Sequence, residues 1–166
     1  TIHENSAWDR ITWTDEIGSR VKEGDAVYFG TLGQRSSESR CTIRRGIQTA
    51  RDAGVPSILD INLRSPFFDS ALIRESIQLA SILKLSDDEI PEVIAACGIE
   101  SGAPLETQLR GLLDAYDLEF VVMTRGAEGA ILATPSGVAR QQGIQTTVQD
   151  TVGAGDSFAA SFLLGV

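Results

Sequence analysis

Residues 150–158 read DTVGAGDSF, a glycine-rich run that follows a polar segment and leads into an apolar one. Gly153, Ala154 and Gly155 have little or no side chain, so their main-chain N–H groups can point at an anion without obstruction. Residues 158–164 are small and apolar, which predicts a buried helix. The run therefore predicts a loop that opens a helix at its positive end, where anions bind.

Asp156 puts a carboxylate inside this set of N–H groups. A carboxylate repels a resting phosphate, so anion binding alone does not explain it. It is explained if Asp156 takes the proton from a hydroxyl that attacks a phosphoryl group held by the neighbouring N–H groups. A plain strand-to-helix turn with a helix-capping Asp is the structural alternative.

The run resembles the D-T-x-G-A-G-D signature of the PfkB, or ribokinase-like, sugar kinases. The resemblance implies an ATP-dependent carbohydrate kinase that uses Mg²⁺. It implies Asp156 as the catalytic base and the N–H groups of Gly153, Ala154, Gly155 and Asp156 as the anion hole, with Thr151 in the nucleotide site.

Composition limits the other possibilities. The chain has 166 residues and is 42% hydrophobic, which is enough for one domain over residues 1–166 with a real core. A net charge of −9 argues against nucleic acid and anionic membranes as partners. No run predicts a membrane span or a signal peptide. Cys41 and Cys97 lie far apart without a metal-binding spacing, which predicts a reducing, cytoplasmic location.

Several catalytic devices are excluded. His3 is the only histidine, which argues against a Ser-His-Asp triad and a His-rich zinc site. The only lysines are Lys22 and Lys84, and neither follows the glycine pattern of a Walker P-loop. Phosphoryl chemistry here therefore has to rely on Asp, backbone N–H groups, Arg and Mg²⁺.

Apolar runs of strand length alternate with segments of helical period, which is the pattern of parallel strands with crossover helices. Strands are predicted over residues 26–31, 57–62, 81–85, 120–124 and 130–134, and helices over residues 36–53, 69–79, 87–97 and 104–116. Residues 137–149 are predicted as an edge hairpin. The predicted fold class is α/β, a Rossmann-like three-layer sandwich with a mostly parallel sheet.

Asp60, Asn62 and Arg64 alternate with apolar residues, so strand geometry predicts that they share a face. The segment resembles the D-x-N-x-R motif of fructokinases and 2-keto-3-deoxygluconate kinases, which implies that Asn62 and Arg64 bind substrate. An Asx-turn with a surface Arg is the alternative. Phe67 and Phe68 stand where those relatives often carry Trp, which leaves the sugar open.

Lys84, Ser86 and Glu89 fit a strand that ends in a capping box, with Ser86 as N-cap and Glu89 as its reciprocal partner. They also resemble a K-x-S-x-x-E variant of the family's N-x-x-E motif. That resemblance implies that Ser86 and Glu89 lie in the nucleotide site and that Glu89 acts through water on Mg²⁺ and the phosphates. The two interpretations are compatible.

Thr124, Gly126 and Gly129 resemble the T-x-G-x-x-G segment that borders the nucleotide in these kinases, with a hairpin turn as the alternative. Gly30 lies in a segment that resembles the floor of the sugar pocket in fructokinase-like members. All the predicted site residues follow strands at their carboxyl ends. Because those ends meet at one edge of a parallel sheet, one site is expected there.

The resemblance implies a fructokinase-like activity on a small sugar, with 2-keto-3-deoxygluconate kinase and nucleoside kinase as alternatives within the superfamily. A non-catalytic nucleotide- or anion-binding module is the alternative outside it. The family's N-terminal lid and its C-terminal adenine-covering stretch have no counterpart in the chain. It is therefore expected to be a partial ribokinase-like domain that is weak or inactive alone, with a homodimer expected for the full-length protein.

Overall fold

The computed structural model describes residues 2–3, 6–147, 150 and 152–165. The strands are β1 (Val27–Gly30), β2 (Ser57–Asp60), β3 (Ile82–Ser86), β4 (Phe120–Thr124), β5 (Ala130–Thr134) and β6 (Gly137–Gln141). The helices are α1 (Asp15–Glu23), α2 (Ser37–Asp52), α3 (Ser70–Gln78), α4 (Ile90–Cys97), α5 (Leu105–Tyr116) and α6 (Ala154–Leu163). None of the described helices is long and apolar enough to cross a membrane.

The six strands form one sheet in chain order from β1 to β6. The first four strands pair in parallel, and β5 and β6 are added antiparallel. The α/β fold with a mostly parallel sheet is thus confirmed. Residues 137–147 do not form the predicted hairpin among themselves, because β6 pairs with β5 and residues 142–147 have no regular structure. Residues 148 and 149 lie outside the described part.

The core lies between one face of the sheet and the long helices. Phe29, Leu59 and Leu83 stand side by side across β1, β2 and β3, and all belong to one buried cluster. Ile47 of α2 and Leu109 of α5 belong to the same cluster. Burial of each such side chain contributes about 2 kcal/mol of hydrophobic free energy, which fixes the strand register.

The opposite face carries a different row of residues. Gly30, Asp60 and Lys84 are in register across the same three strands, one position along from the core row. Helix α6 lies over this face, since the position of a Cβ on Gly155 would be 3.4 Å from the Lys84 Nζ. Helices on one face and α6 on the other make the three layers of the predicted sandwich.

Helices α4 and α1 differ from the sequence predictions. Ser86 is not the N-cap of α4, because it is still paired with Thr124 as the last residue of β3. Glu89 is the N-cap instead, and α4 begins at Ile90. Helix α1 was not predicted, although the sequence carries its signals, since Thr14 accepts a hydrogen bond from the Ile17 N–H as a typical N-cap does.

Candidate functional site

The carboxyl ends of the three central strands are joined by hydrogen bonds. The Leu63 N–H, beyond the end of β2, donates to the Glu89 Oε1 at 2.7 Å. The Asp87 N–H, beyond the end of β3, donates to the Thr124 carbonyl at the end of β4 at 2.9 Å. The predicted residues that follow these strands therefore lie at one edge of the sheet, as the sequence indicated.

The Glu89 carboxylate is half-buried and accepts three hydrogen bonds from the protein. Its Oε2 accepts from the Ser86 N–H at 2.8 Å and from the Ser86 hydroxyl at 3.0 Å, while its Oε1 accepts from Leu63. The backbone bond to Ser86 is the reciprocal half of the predicted capping box, but the Ser86 hydroxyl donates rather than accepts. A carboxylate has about four acceptor positions, so one remains for a water molecule or a ligand.

The turn between β4 and β5 lines a cavity with the start of α6. Thr124, Gly126 and Gly129 border a cavity of about 300 Å³ together with Ala154 and Gly155. The structure thus brings the T-x-G-x-x-G segment and the glycine run together. The segment is also the turn that joins β4 to β5, which is the structural alternative given for its glycines.

Gly129 is sterically required in this turn. Its φ of +94° lies in a region that residues with a side chain rarely adopt, and a Cβ there would lie 2.0 Å from the Gln141 carbonyl oxygen. The close approach of the turn to the end of β6 depends on that missing side chain.

Helix α6 begins inside the glycine run, four residues earlier than predicted. Gly153 is its N-cap with a φ of +77°, and Ala154, Gly155 and Asp156 form its exposed first turn. The Ser157 N–H donates to the Gly153 carbonyl at 2.8 Å. The N–H groups of the three preceding residues have no partner within the helix, which makes this end suitable for an anion. Thr151 lies outside the described residues.

A buried polar group that the sequence analysis did not assemble lies beneath this helix. The Lys84 Nζ donates to the Asp60 Oδ2 at 2.7 Å, and the Tyr28 hydroxyl donates to the same oxygen at 2.7 Å. Asp60 is 2% exposed and Lys84 is 8% exposed. The sequence does place one charged residue in each of two buried strands, Asp60 in β2 and Lys84 in β3. Their contact depends on the pairing register of these strands, which the sequence analysis did not predict.

Tyr28 interacts with Asp60 through a hydrogen bond and with Asp156 through its charge. Burial raises the pKa of the Tyr28 phenol above its usual value, and the hydrogen bond and charge of Asp60 and the charge of Asp156 raise this pKa further. Tyr28 and Asp156 also line a second cavity of about 200 Å³, with Ala159 and Leu163 on its helical side. The predicted base and a tyrosine on β1 therefore line the same cavity.

The predicted substrate residues are placed less uniformly. Gly30 ends β1 beside Asp60, and a Cβ there would lie 3.2 Å from the Asp60 carbonyl oxygen. Asn62 has a φ of +40°, so strand alternation stops after Asp60. Arg64 is exposed and its guanidinium donates to the Leu63 carbonyl. The prediction that Asp60, Asn62 and Arg64 share a face is therefore wrong, because β2 ends at Asp60.

The described residues contain no group of three or more His, Cys, Asp or Glu side chains that could hold a metal ion. Glu89 keeps one acceptor position beyond its three hydrogen bonds. Such a donor set fits an ion held mainly by a ligand's phosphates and by water.

Comparison with known proteins gives concordant results. The profile described as pfkB family carbohydrate kinase matches residues 3–166. The chain is 28% identical over 171 residues to probable fructokinase-5 of Arabidopsis thaliana, covering 99% of this chain and 51% of that protein. It spans about half the length of the curated relatives it matches.

Solved structures that are similar to the chain include two kinases with bound ligands. Aminoimidazole riboside kinase from Salmonella enterica, complexed with aminoimidazole riboside and an ATP analog, has a TM-score of 0.69 at 32% identity, covering 82% of this chain and 45% of that one. Fructokinase from Vibrio cholerae in its fructose, ADP and calcium ion bound form has a TM-score of 0.78 at 24% identity, covering 98% of this chain and 51% of that one. At 24% identity, the similarity to the second structure shows a shared fold alone.

Proposed function

Because the chain belongs to the pfkB family of carbohydrate kinases, we propose that the protein is an ATP-dependent sugar kinase. The observation that carries the proposal is the start of α6. Three N–H groups without helical partners and the Asp156 carboxylate occupy one exposed turn, between a glycine-lined cavity and a cavity walled by Tyr28. An anion site beside a base is the arrangement that phosphoryl transfer to a hydroxyl requires.

In this proposal Asp156 accepts the proton of the acceptor hydroxyl as its oxygen attacks the γ-phosphorus of ATP. A bond forms between that oxygen and phosphorus, and the bond from phosphorus to the oxygen of ADP breaks. The N–H groups of Ala154, Gly155 and Asp156 stabilise the charge that develops on the transferred group. Gly153 provides the left-handed turn that points them outward.

ATP is assigned to the cavity of about 300 Å³ between the β4–β5 turn and α6, where Thr124, Gly126 and Gly129 would lie along the phosphates. Ser86 and Thr151 complete the proposed nucleotide site. Glu89 would hold Mg²⁺ through water by its remaining acceptor position. The ion supplies charge neutralisation between the phosphates when it is bound.

Fructose or a related small sugar is the proposed acceptor, with Gly30, Asn62 and Arg64 as candidate contacts. The fructokinase relatives support this choice. A riboside is the second candidate, because the aminoimidazole riboside kinase of Salmonella typhimurium is 32% identical over 141 residues. We further propose a cytoplasmic homodimer for the full-length protein.

The test is ATP-dependent phosphorylation by the full-length gene product that carries this sequence. Fructose, 2-keto-3-deoxygluconate, ribose, adenosine and aminoimidazole riboside form the acceptor panel. We expect turnover of one sugar in preference to the others. Binding of Mg-ATP without turnover of any acceptor would contradict the kinase proposal and favour a nucleotide-binding module.

A further inference from the structure

We propose that Lys84 contacts the transferred phosphoryl group, with its ammonium held by Asp60 at the amino end of α6. This inference rests on the proposed function and adds a positively charged side chain beside the N–H groups at the start of α6. Lys84 would then be a catalytic residue of the site, and Asp60 and Tyr28 would position it.

The position of the ammonium supports a contact with the anion site. The Lys84 side chain rises from β3 toward α6, and its Nζ would be 3.4 Å from a Cβ on Gly155. Gly155 belongs to the helical turn whose N–H groups lack partners. Because Gly155 has no Cβ, no side chain of its own stands between the ammonium and a ligand at this turn.

The hydrogen bonding of Lys84 is incomplete. An ammonium has three N–H donors, and the described residues accept one of them, at the Asp60 Oδ2. The Lys84 side chain is 11% exposed, and a ligand that reaches its ammonium can complete the two remaining hydrogen bonds. A phosphoryl group has the oxygens to do so.

The Asp60 carboxylate holds the Lys84 ammonium in place. Its Oδ2 accepts from both Lys84 and Tyr28, while its Oδ1 is buried without a hydrogen-bond partner among the described residues. The carboxylate compensates the charge of Lys84 when no phosphate is bound, which makes a buried lysine tolerable. The Tyr28 hydroxyl fixes the carboxylate from the side of Asp156.

In the transfer step Lys84 keeps its proton. The proton of the acceptor hydroxyl goes to Asp156, and the electron pair of the broken bond stays on the oxygen of ADP. Lys84 stabilises charge on the phosphoryl oxygens as they leave one oxygen and approach the other.

The chain offers a binding test that does not depend on activity. It has only two lysines, Lys84 and the exposed Lys22, so lysine labelled at its ε-carbon gives two NMR signals. Titration with inorganic phosphate should shift the Lys84 signal together with the Gly155 amide signal and leave Lys22 in place. A shift of Gly155 without Lys84, equal shifts of both lysines, or no shift of either group would overturn the inference.

Kinetics of the full-length gene product provide the second test. Lys84→Met should lower kcat by about 10²- to 10³-fold, the effect of losing one positioned donor to a transition-state oxyanion. Lys84→Arg should keep more activity than Lys84→Met. Lys22→Met, which alters the exposed lysine, is the matched control and should have wild-type kcat.

A purely structural role makes a different prediction for the double variant Asp60→Asn/Lys84→Met. The double variant has no buried charge at these two positions, whereas Lys84→Met alone leaves the Asp60 carboxylate buried without its cation. The double variant should therefore stay folded even if Lys84→Met does not. We expect the folded double variant to remain about 10²-fold or more below the wild type in kcat. Recovery of near wild-type kcat would show that Lys84 only balances Asp60. Absence of turnover in the wild type would count against the proposed function, and the phosphate titration would still test Lys84.

Discussion

Tyr28 and Tyr116 are the two tyrosines of the chain, and both have pKa values raised above the usual value for a phenol. Burial is the main cause at each residue, followed by a hydrogen bond to Asp60 at Tyr28 and to Cys97 at Tyr116. Both hydroxyls should therefore stay protonated in the folded protein at a pH of about 10, where an unperturbed tyrosine is half ionised.

The sign of the effect on stability follows from which state loses its proton first. Above a pH of about 10 the unfolded chain releases the phenolic protons while the folded chain keeps them, so the free energy of unfolding falls as pH rises. The ultraviolet absorption of tyrosinate measures this directly, with the protein in urea as the control. Half ionisation near pH 10 in a protein that circular dichroism shows to be folded would contradict the assigned contacts.

Gly129 gives a second prediction at the level of a single residue. Gly129→Ala puts a Cβ into contact with the Gln141 carbonyl at a φ of +94°, so the free energy of unfolding should fall by about 2 kcal/mol or more. Gly137→Ala is the control, since no atom lies within 4 Å of its Cβ position. Thermal unfolding of the two variants compares them, and equal melting temperatures would refute the steric argument.

Helix starts differ in how much their N-cap side chains contribute. The Asp69 Oδ1 accepts from the Leu72 N–H at 2.7 Å at the start of α3. Ser36, the N-cap of α2, makes no such side-chain bond. Asp69→Ala should therefore cost about 1 kcal/mol in urea unfolding, and Ser36→Ala should cost much less. A larger loss at Ser36 would contradict this assignment of caps.

Some helices and strands could be predicted from the sequence pattern, and others could not. Buried strands such as β3 and β4 were predicted because a short apolar run fits a strand covered on both faces. The start of α4 was missed because pairing between Ser86 and Thr124 keeps the chain extended, a contact between residues distant in sequence. The hairpin expected after β5 was wrong because residues 137–141 pair with β5 itself, while residues 142–147 supply no second strand.

The site was predictable to the extent that it depends on strand direction. Residues that follow parallel strands must lie at one edge, so Ser86 and Thr124 could be placed together from the sequence. The contacts of Lys84 with Asp60 and of Asp60 with Tyr28 depend on the register of three strands. The sequence analysis predicted the strands but not their register, so this group of contacts was found only in the structure.

At the scale of the whole molecule, the two faces of the sheet differ in the residues that they carry and in the helices that they contact. One face is packed with apolar side chains against α2 to α5, and the other presents polar groups to α6 and its exposed first turn. The chain spans about half the length of its curated relatives, and we propose that the isolated 166 residues turn over substrate only weakly. The proposed anion site, at the start of α6, lies within the described residues.

The most direct measurement is transfer of the γ-phosphoryl group of ATP to the preferred sugar by the full-length gene product, with Asp156→Asn compared against the wild type. Loss of the base should lower kcat by at least about 10²-fold while ATP still binds. Asp114→Asn, a change at an exposed carboxylate on α5, should leave kcat unchanged. Near wild-type transfer by Asp156→Asn would contradict the central claim that the carboxylate at the start of α6 is the catalytic base.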